Sequence, residues 1–198
     1  MNARIRPASE KSNPAVVSMA ASMTSASLCL ALHRDFEFSM NGRCAKFLDC
    51  LRAVWSKYNS ECEATRYETK IRVMCIKIKA DSEREIEYRY RLREKRSEDT
   101  DTQDFLFMAA IIALHDNFDF HVKGRFPGDP SMDTKRLLDS YNAETLRWNR
   151  FCVQMRQDMK KNKGKEEDYF VDMTEWMYDQ LRGRGMSEEI VKEKIMGW

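Results

Sequence analysis

The amino-acid sequence predicts an α+β fold: an antiparallel sheet of three to five strands packed with helices, followed by a helical C-terminal extension. Three stretches of strict alternation predict the sheet, and one long seam of apolar residues at helical spacing predicts the helices. The first stretch is Leu28 to Met40. Leu28, Leu30, Leu32, Phe36, Phe38 and Met40 share one parity, broken only by Arg34, while Cys29, Ala31, His33, Asp35, Glu37 and Ser39 take the other. Such alternation marks a strand with one buried and one solvated face, and a clean polar face belongs to an antiparallel sheet.

The second run sets Ile86, Tyr88, Tyr90 and Leu92 against Glu85, Glu87, Arg89, Arg91 and Arg93. The third sets Phe118, Phe120, Val122 and Phe126 against Asp119, His121, Lys123 and Arg125. Between them Phe105 to Leu114 is continuously apolar, which fits a buried central strand or a short helix. In this sheet Arg89 and Arg91 face outward, where Asp35 and Glu37 are candidate cross-strand partners.

Helices fill the rest. Asn41-Gly42 breaks the first strand, and Cys44, Phe47, Leu48, Leu51, Val54, Trp55 and Tyr58 then recur at steps of three and four, a helix over 43–58. Tyr67, Ile71, Met74, Cys75 and Ile78 fit a second helix, although Ile76-Lys77-Ile78 also suits a strand. Beyond Pro127-Gly128-Asp129-Pro130, the seam Leu138, Tyr141, Thr145, Trp148, Cys152, Met155 and Met159 predicts a long helix lying on the sheet. Lys160 to Asp168 is a charged linker. A further helix uses Tyr169, Phe170, Met173, Trp176, Met177 and Leu181, and Gly183-Arg184-Gly185 stops it. Ser187 caps a last short helix holding Ile190, Val191 and Ile195. The organisation is a flexible arm over 1–24, an α+β core over 25–160, and a linker with short helices over 161–198.

Composition narrows the function classes. The chain has 198 residues, 33% of them charged, and a net charge of only +2, too weak a balance to indicate nucleic acid by itself. Six cysteines form no CxxC and only three histidines accompany them, so no zinc site is expected and the thiols read as reduced, in cytosol or nucleus. No run of eighteen apolar residues occurs, and no membrane span is expected. Arg4, Arg6 and Lys11 among Ser and Ala loosely resemble a mitochondrial presequence, but Pro7, Glu10 and Pro14 spoil its amphipathic helix. A flexible basic arm is the better reading.

Nothing points to catalysis. No GxSxG and no glycine-rich phosphate loop is present, the acids fall in charge runs that read as solvated faces, and His33, His115 and His121 lie far apart. A non-enzyme without cofactor or small-molecule substrate is expected. The basic residues do cluster: Arg84, Arg89, Arg91, Arg93, Lys95 and Arg96 fall within thirteen positions, and Lys160, Lys161, Lys163 and Lys165 within six. Apart from pairing across strands, these suit contact with phospholipid headgroups or with an RNA–protein particle.

The order of arm, long strand, helix, second helical stretch, antiparallel strands and long helix resembles that of rhabdovirus matrix proteins. The closest local likeness is Phe36-Glu37-Phe38-Ser39-Met40-Asn41-Gly42 with the helix through Trp55, and Glu85 to Arg93 is similar to a strand of that family. The likeness is one of pattern over residues 28–160. The family's proline-tyrosine budding motif is absent, which suits a plant-infecting member. The resemblance implies a protein of the virion and of host cytoplasm or nucleus. Such a protein self-associates as a homo-oligomer, condenses the nucleocapsid protein–RNA complex and sits peripherally on the anionic inner face of the envelope. Its arm, with Arg4, Arg6 and Lys11, docks on a neighbouring subunit. Two other readings stand beside it: an accessory structural subunit of an organellar, mitochondrial assembly, and an RNA-binding protein using Arg89 to Lys95.

Overall fold

A computed structural model describes residues 13–65, 68–94, 97–126, 129–162 and 166–198, with backbone alone for 162 and 166–173. The described residues are 77% helical and contain no strand or sheet, which overturns the α+β expectation. Seven α-helices follow in order: α1 (Pro14–Phe36), α2 (Ala45–Glu61), α3 (Lys70–Glu85), α4 (Glu98–Phe118), α5 (Met132–Asn162), α6 (Glu166–Arg182) and α7 (Glu188–Ile190). π-Helical turns, Met40–Cys44 and Val191–Met196, lead into α2 and continue α7. One isolated antiparallel bridge, Lys123 to Pro130, is the nearest approach to a ladder among the described residues.

The core helix is α4, on which α1, α2 and α3 all pack. The apolar run Phe105 to Leu114 is therefore helical, and all of it but Ile112 is buried. The Leu28–Met40 run is overturned for a related reason. From Ala20 to Leu32, α1 is buried on nearly every side, so no wet face remains to write a helical period. Its second parity holds small residues, Ser25, Ser27, Cys29 and Ala31, that let neighbours approach closely. Large and small residues in alternation imitate the period of a strand. The helix begins at Pro14, whose fixed φ suits the first turn, and the Asn13 side chain caps it by accepting from the Ala15 N–H at 3.2 Å. The arm expected to reach residue 24 is thus helix from residue 14 onward. By length and composition α1 could cross a membrane, but 67% of its most apolar window is buried inside the fold, as in a core helix.

The other two alternating runs begin as helix stops. Glu37, Glu87 and Asp119 follow α1, α3 and α4 with φ of 56°, 52° and 53°. The aromatic residue after each is buried, and its N–H returns to a carbonyl six residues back: Phe38 to Leu32 at 3.2 Å, Tyr88 to Ser82 at 3.0 Å, Phe120 to Leu114 at 3.4 Å. This is a helix stop one residue wider than the Schellman closure, whose bond spans five residues, with an acid in the left-handed position that glycine usually takes. Past the stop the chain is extended and the expected alternation holds only in part, since Phe126, expected on the buried side, is exposed. Tyr88, Phe120 and Val122 are buried, while Arg89, Arg91, His121 and Lys123 are exposed. Each segment lies on helices rather than beside another strand. Asp35 and Glu37 consequently do not meet Arg89 or Arg91. Asp35 pairs with Arg34 at 3.1 Å and accepts the Ser140 hydroxyl, and Glu37 ends α1.

The helices expected from wet-faced patterns are present as α2, α3, α5 and α6, and Ser187 caps α7 by accepting from the Ile190 N–H. Met177, Leu181, Val191 and Ile195 join the same core as α1 and α4.

The helix positions also expose an internal repeat. Residues 30–43 and 112–125 align without a gap and share Ala31/Ala113, Leu32/Leu114, His33/His115, Phe36/Phe118, Phe38/Phe120, Gly42/Gly124 and Arg43/Arg125. After a second-half loop longer by eight residues, 46–62 matches 136–152 with Leu48/Leu138, Asp49/Asp139, Ala53/Ala143, Asn59/Asn149 and Cys62/Cys152. Contacts obey the same exchange. Phe36 packs on Phe120 at 5.5 Å and Phe38 on Phe118 at 5.2 Å. The Lys46 ammonium lies 5.3 Å from the centre of the Phe118 ring, and the Arg136 guanidinium 5.1 Å from that of Phe36. The pair α1–α2 meets α4–α5 about a pseudo-twofold axis, each contact with its mate, as in an isologous dimer.

Candidate anion-binding groove

The site is built on Asp104, a fully buried carboxylate of α4. A buried charge is costly unless it is paired and hydrogen-bonded, and the extended segment after α3 supplies the partners. Asp104 accepts from the Tyr90 hydroxyl at 2.9 Å and the Arg93 N–H at 3.1 Å, and pairs with Arg93 Nε at 2.9 Å. Tyr90, Phe107 and Tyr141 form a chain of ring contacts beneath, at 5.9 and 5.3 Å. Burial pushes the Tyr90 phenol up, and Asp104 beside it adds to the shift. For Arg93, burial acts against the charge, but Asp104 together with Tyr90 and Tyr141 outweighs it and the guanidinium is held more firmly cationic than usual. The acids of this region, read from sequence as solvated, include two that are buried. Asp104 is one; the other is Asp101, which pairs with the buried Arg72 at 2.9 Å.

With segment 88–93 pinned in this way, a groove of about 410 Å³ opens between it and α5. Arg89, Arg91, Arg93 and Lys135 line it, along with hydroxyl and amide groups of Thr134 and Asn142, and among the described residues no carboxylate does. Arg89 makes no ion pair among the described residues. Arg91 pairs with Glu94 at 3.2 Å, but both side chains are about nine-tenths exposed, where such a pair contributes almost nothing. Arrays of guanidinium groups in a concavity bind phosphate and carboxylate in bidentate fashion.

The sequence cluster is therefore only partly assembled. Arg89, Arg91 and Arg93 meet in the groove. Arg84 stays on α3, held by Asp81 at 2.8 Å and Glu85 at 3.2 Å. Lys160 and Lys161 are exposed at the far end of α5, roughly 38 Å from Lys135 at 1.5 Å per residue. Lys95, Arg96, Lys163, Lys165, Arg4, Arg6 and Lys11 lie outside the described residues. Sequence reasoning missed Lys135 because it sits off the apolar seam of α5. It missed Asp104 because that residue stands three positions from an acidic run. The histidines stay apart: His33 Nδ1 lies 2.8 Å from the Phe38 carbonyl and His115 Nδ1 2.8 Å from Asp116. Among the described residues no three His, Cys, Asp or Glu side chains gather as metal ligands.

Fold and groove together define a pseudo-symmetric helical bundle with a cationic cleft. No protein-family model, curated protein or solved structure matches the chain.

Proposed function

We propose that the protein is a non-catalytic helical scaffold that binds a phosphate-bearing chain, such as single-stranded RNA, in the groove between segment 88–93 and α5. One observation carries the reading: four cations line a concave surface that holds no carboxylate among the described residues, and one of them is fixed by a buried acid. Concavity favours a flexible phosphate backbone over a flat bilayer, which could not reach Arg93. The matrix-protein reading is the version of this proposal in which the RNA belongs to a nucleocapsid. Its support is now these cations, since the strand order that suggested it is absent.

Binding of labelled single-stranded RNA tests the proposal, with phosphatidylserine and phosphatidylcholine vesicles run in parallel. RNA is expected to bind, and Arg89→Glu with Arg91→Glu to weaken it by roughly tenfold or more, about 1.4 kcal/mol per decade, with helicity unchanged. No RNA binding, or binding indifferent to the double reversal, overturns the proposal. Affinity for anionic vesicles alone replaces RNA by a membrane surface and overturns it equally.

A further inference from the structure

A second, larger groove adjoins the first and shares Arg93 and Tyr141 with it. It measures about 570 Å³ and runs between α1 and α5, with Met19, Met23, Trp148 and Cys152 on its walls. That size and mixed lining are those of an occupied site. The internal repeat gives it a counterpart whose occupant is visible.

The repeat exchanges α1 with α4 at a spacing of 82 residues and α2 with α5 at a spacing of 90. Met23 then answers to Phe105, Thr145 to Trp55 and Thr100 to Ser18. In the first half those counterparts are closed over Trp198, at the end of the α7 segment. Trp55 packs edge-on against Phe105 at 5.2 Å and against Trp198 at 5.6 Å. The Ser18 hydroxyl donates to the Trp198 carbonyl, and the Arg52 guanidinium lies 5.1 Å from the centre of the Trp198 ring. The counterparts of these three contacts, Thr145, Thr100 and Asn142, all line the two adjoining grooves. The second half has the smaller Thr145 and Met23 where the first has Trp55 and Phe105, and among the described residues its groove stands open.

We propose that the larger groove docks a short amphipathic helix of a partner protein, anchored by a tryptophan, in the manner that segment 187–198 docks on the first half. The segment's own pattern defines the partner's chemistry: an aromatic anchor, apolar residues such as Val191 and Ile195 one turn apart, and acids on the opposite face, including Glu189 and Glu193. Arg93 and Arg156 stand on the groove wall together with one acid, Asp99. Helix-in-groove recognition of this kind needs no rearrangement of the scaffold. The inference rests on the repeat and not on phosphate binding.

A labelled peptide of residues 187–198, added to the full chain, probes the site. Binding is expected, falling at least tenfold when the peptide carries Trp198→Ala. It is expected to tighten when the protein carries Thr145→Trp or Met23→Phe, each of which returns to the groove a member of the aromatic set that holds Trp198 in the first half. Two variants guard against one failing to fold. The groove also holds Cys152, whose thiol burial pushes up to about 11, so bound peptide is expected to protect it from alkylation while leaving its counterpart Cys62 unchanged. Absence of binding, binding tightened by neither variant, or protection of Cys62 instead of Cys152 overturns the proposal.

Discussion

Asp104 is the residue on which the groove depends. Removing Asp104 leaves the Tyr90 hydroxyl and the Arg93 N–H without their acceptor, typically at about 1–3 kcal/mol, while the half-exposed Arg93 guanidinium keeps water. Asp104→Ala is expected to lose that much in urea unfolding, and to release Arg93 so that RNA affinity falls as well. A loss below about 1 kcal/mol would show that the carboxylate is not the anchor. Tyrosines give a second reading at this scale. Burial, then Asp81, pushes the Tyr58 phenol well up, and burial, then Asp104, does the same for Tyr90. Because the folded values exceed the unfolded ones, their contribution to stability is complete below about pH 10. It is lost as pH rises toward the folded values. Tyrosinate absorbance should therefore show some of the seven tyrosines ionising only together with loss of helix. Ionisation of all seven at the ordinary value in a folded protein would contradict the placement. None of this was legible in the sequence, where Asp104 looks like one more acid near a charged loop.

At the scale of elements, legibility followed solvation. Where a helix keeps one wet face, as α2 and α5 do, its period was readable, and the expected boundaries fall near the observed ones. Where packing surrounds the helix, as for α1 and α4, only a run of apolar and small residues remained, and alternation of size passed for alternation of polarity. The triplets Phe36-Glu37-Phe38, Ile86-Glu87-Tyr88 and Phe118-Asp119-Phe120 were the signal that could have corrected this, each marking a helix stop followed by a buried aromatic. The acid in each occupies a conformation that costs a non-glycine residue about 1 kcal/mol. Asp119→Gly should relieve that strain and raise stability by about 0.5–1 kcal/mol in thermal unfolding. Destabilisation by the glycine would show that the left-handed stop is misplaced.

For the whole molecule, the repeat matters more than any single helix. Two copies of a helix–turn–helix unit meet through reciprocal aromatic pairs, leaving one groove filled by the chain's own Trp198 and its counterpart open. The repeat was in the sequence throughout, at a spacing of 82 residues, but the paired segments differ in loop length and in every polar position but a few. The cationic groove arises where the second copy's α5 faces the segment after α3, a junction that no local pattern announces. Arg89, Arg91 and Arg93 were legible as a basic cluster, whereas Lys135, forty-odd residues on, becomes their neighbour only through the fold.

Phosphate binding by that groove is tested most directly by the salt dependence of affinity for single-stranded RNA. Each neutralised phosphate contributes about 0.7 to the slope of log K against log salt for a single strand. Arg89→Gln, Arg91→Gln and Lys135→Gln are each expected to flatten the slope by about that amount while leaving the fold intact. Slopes identical to the wild type in all three variants would contradict it.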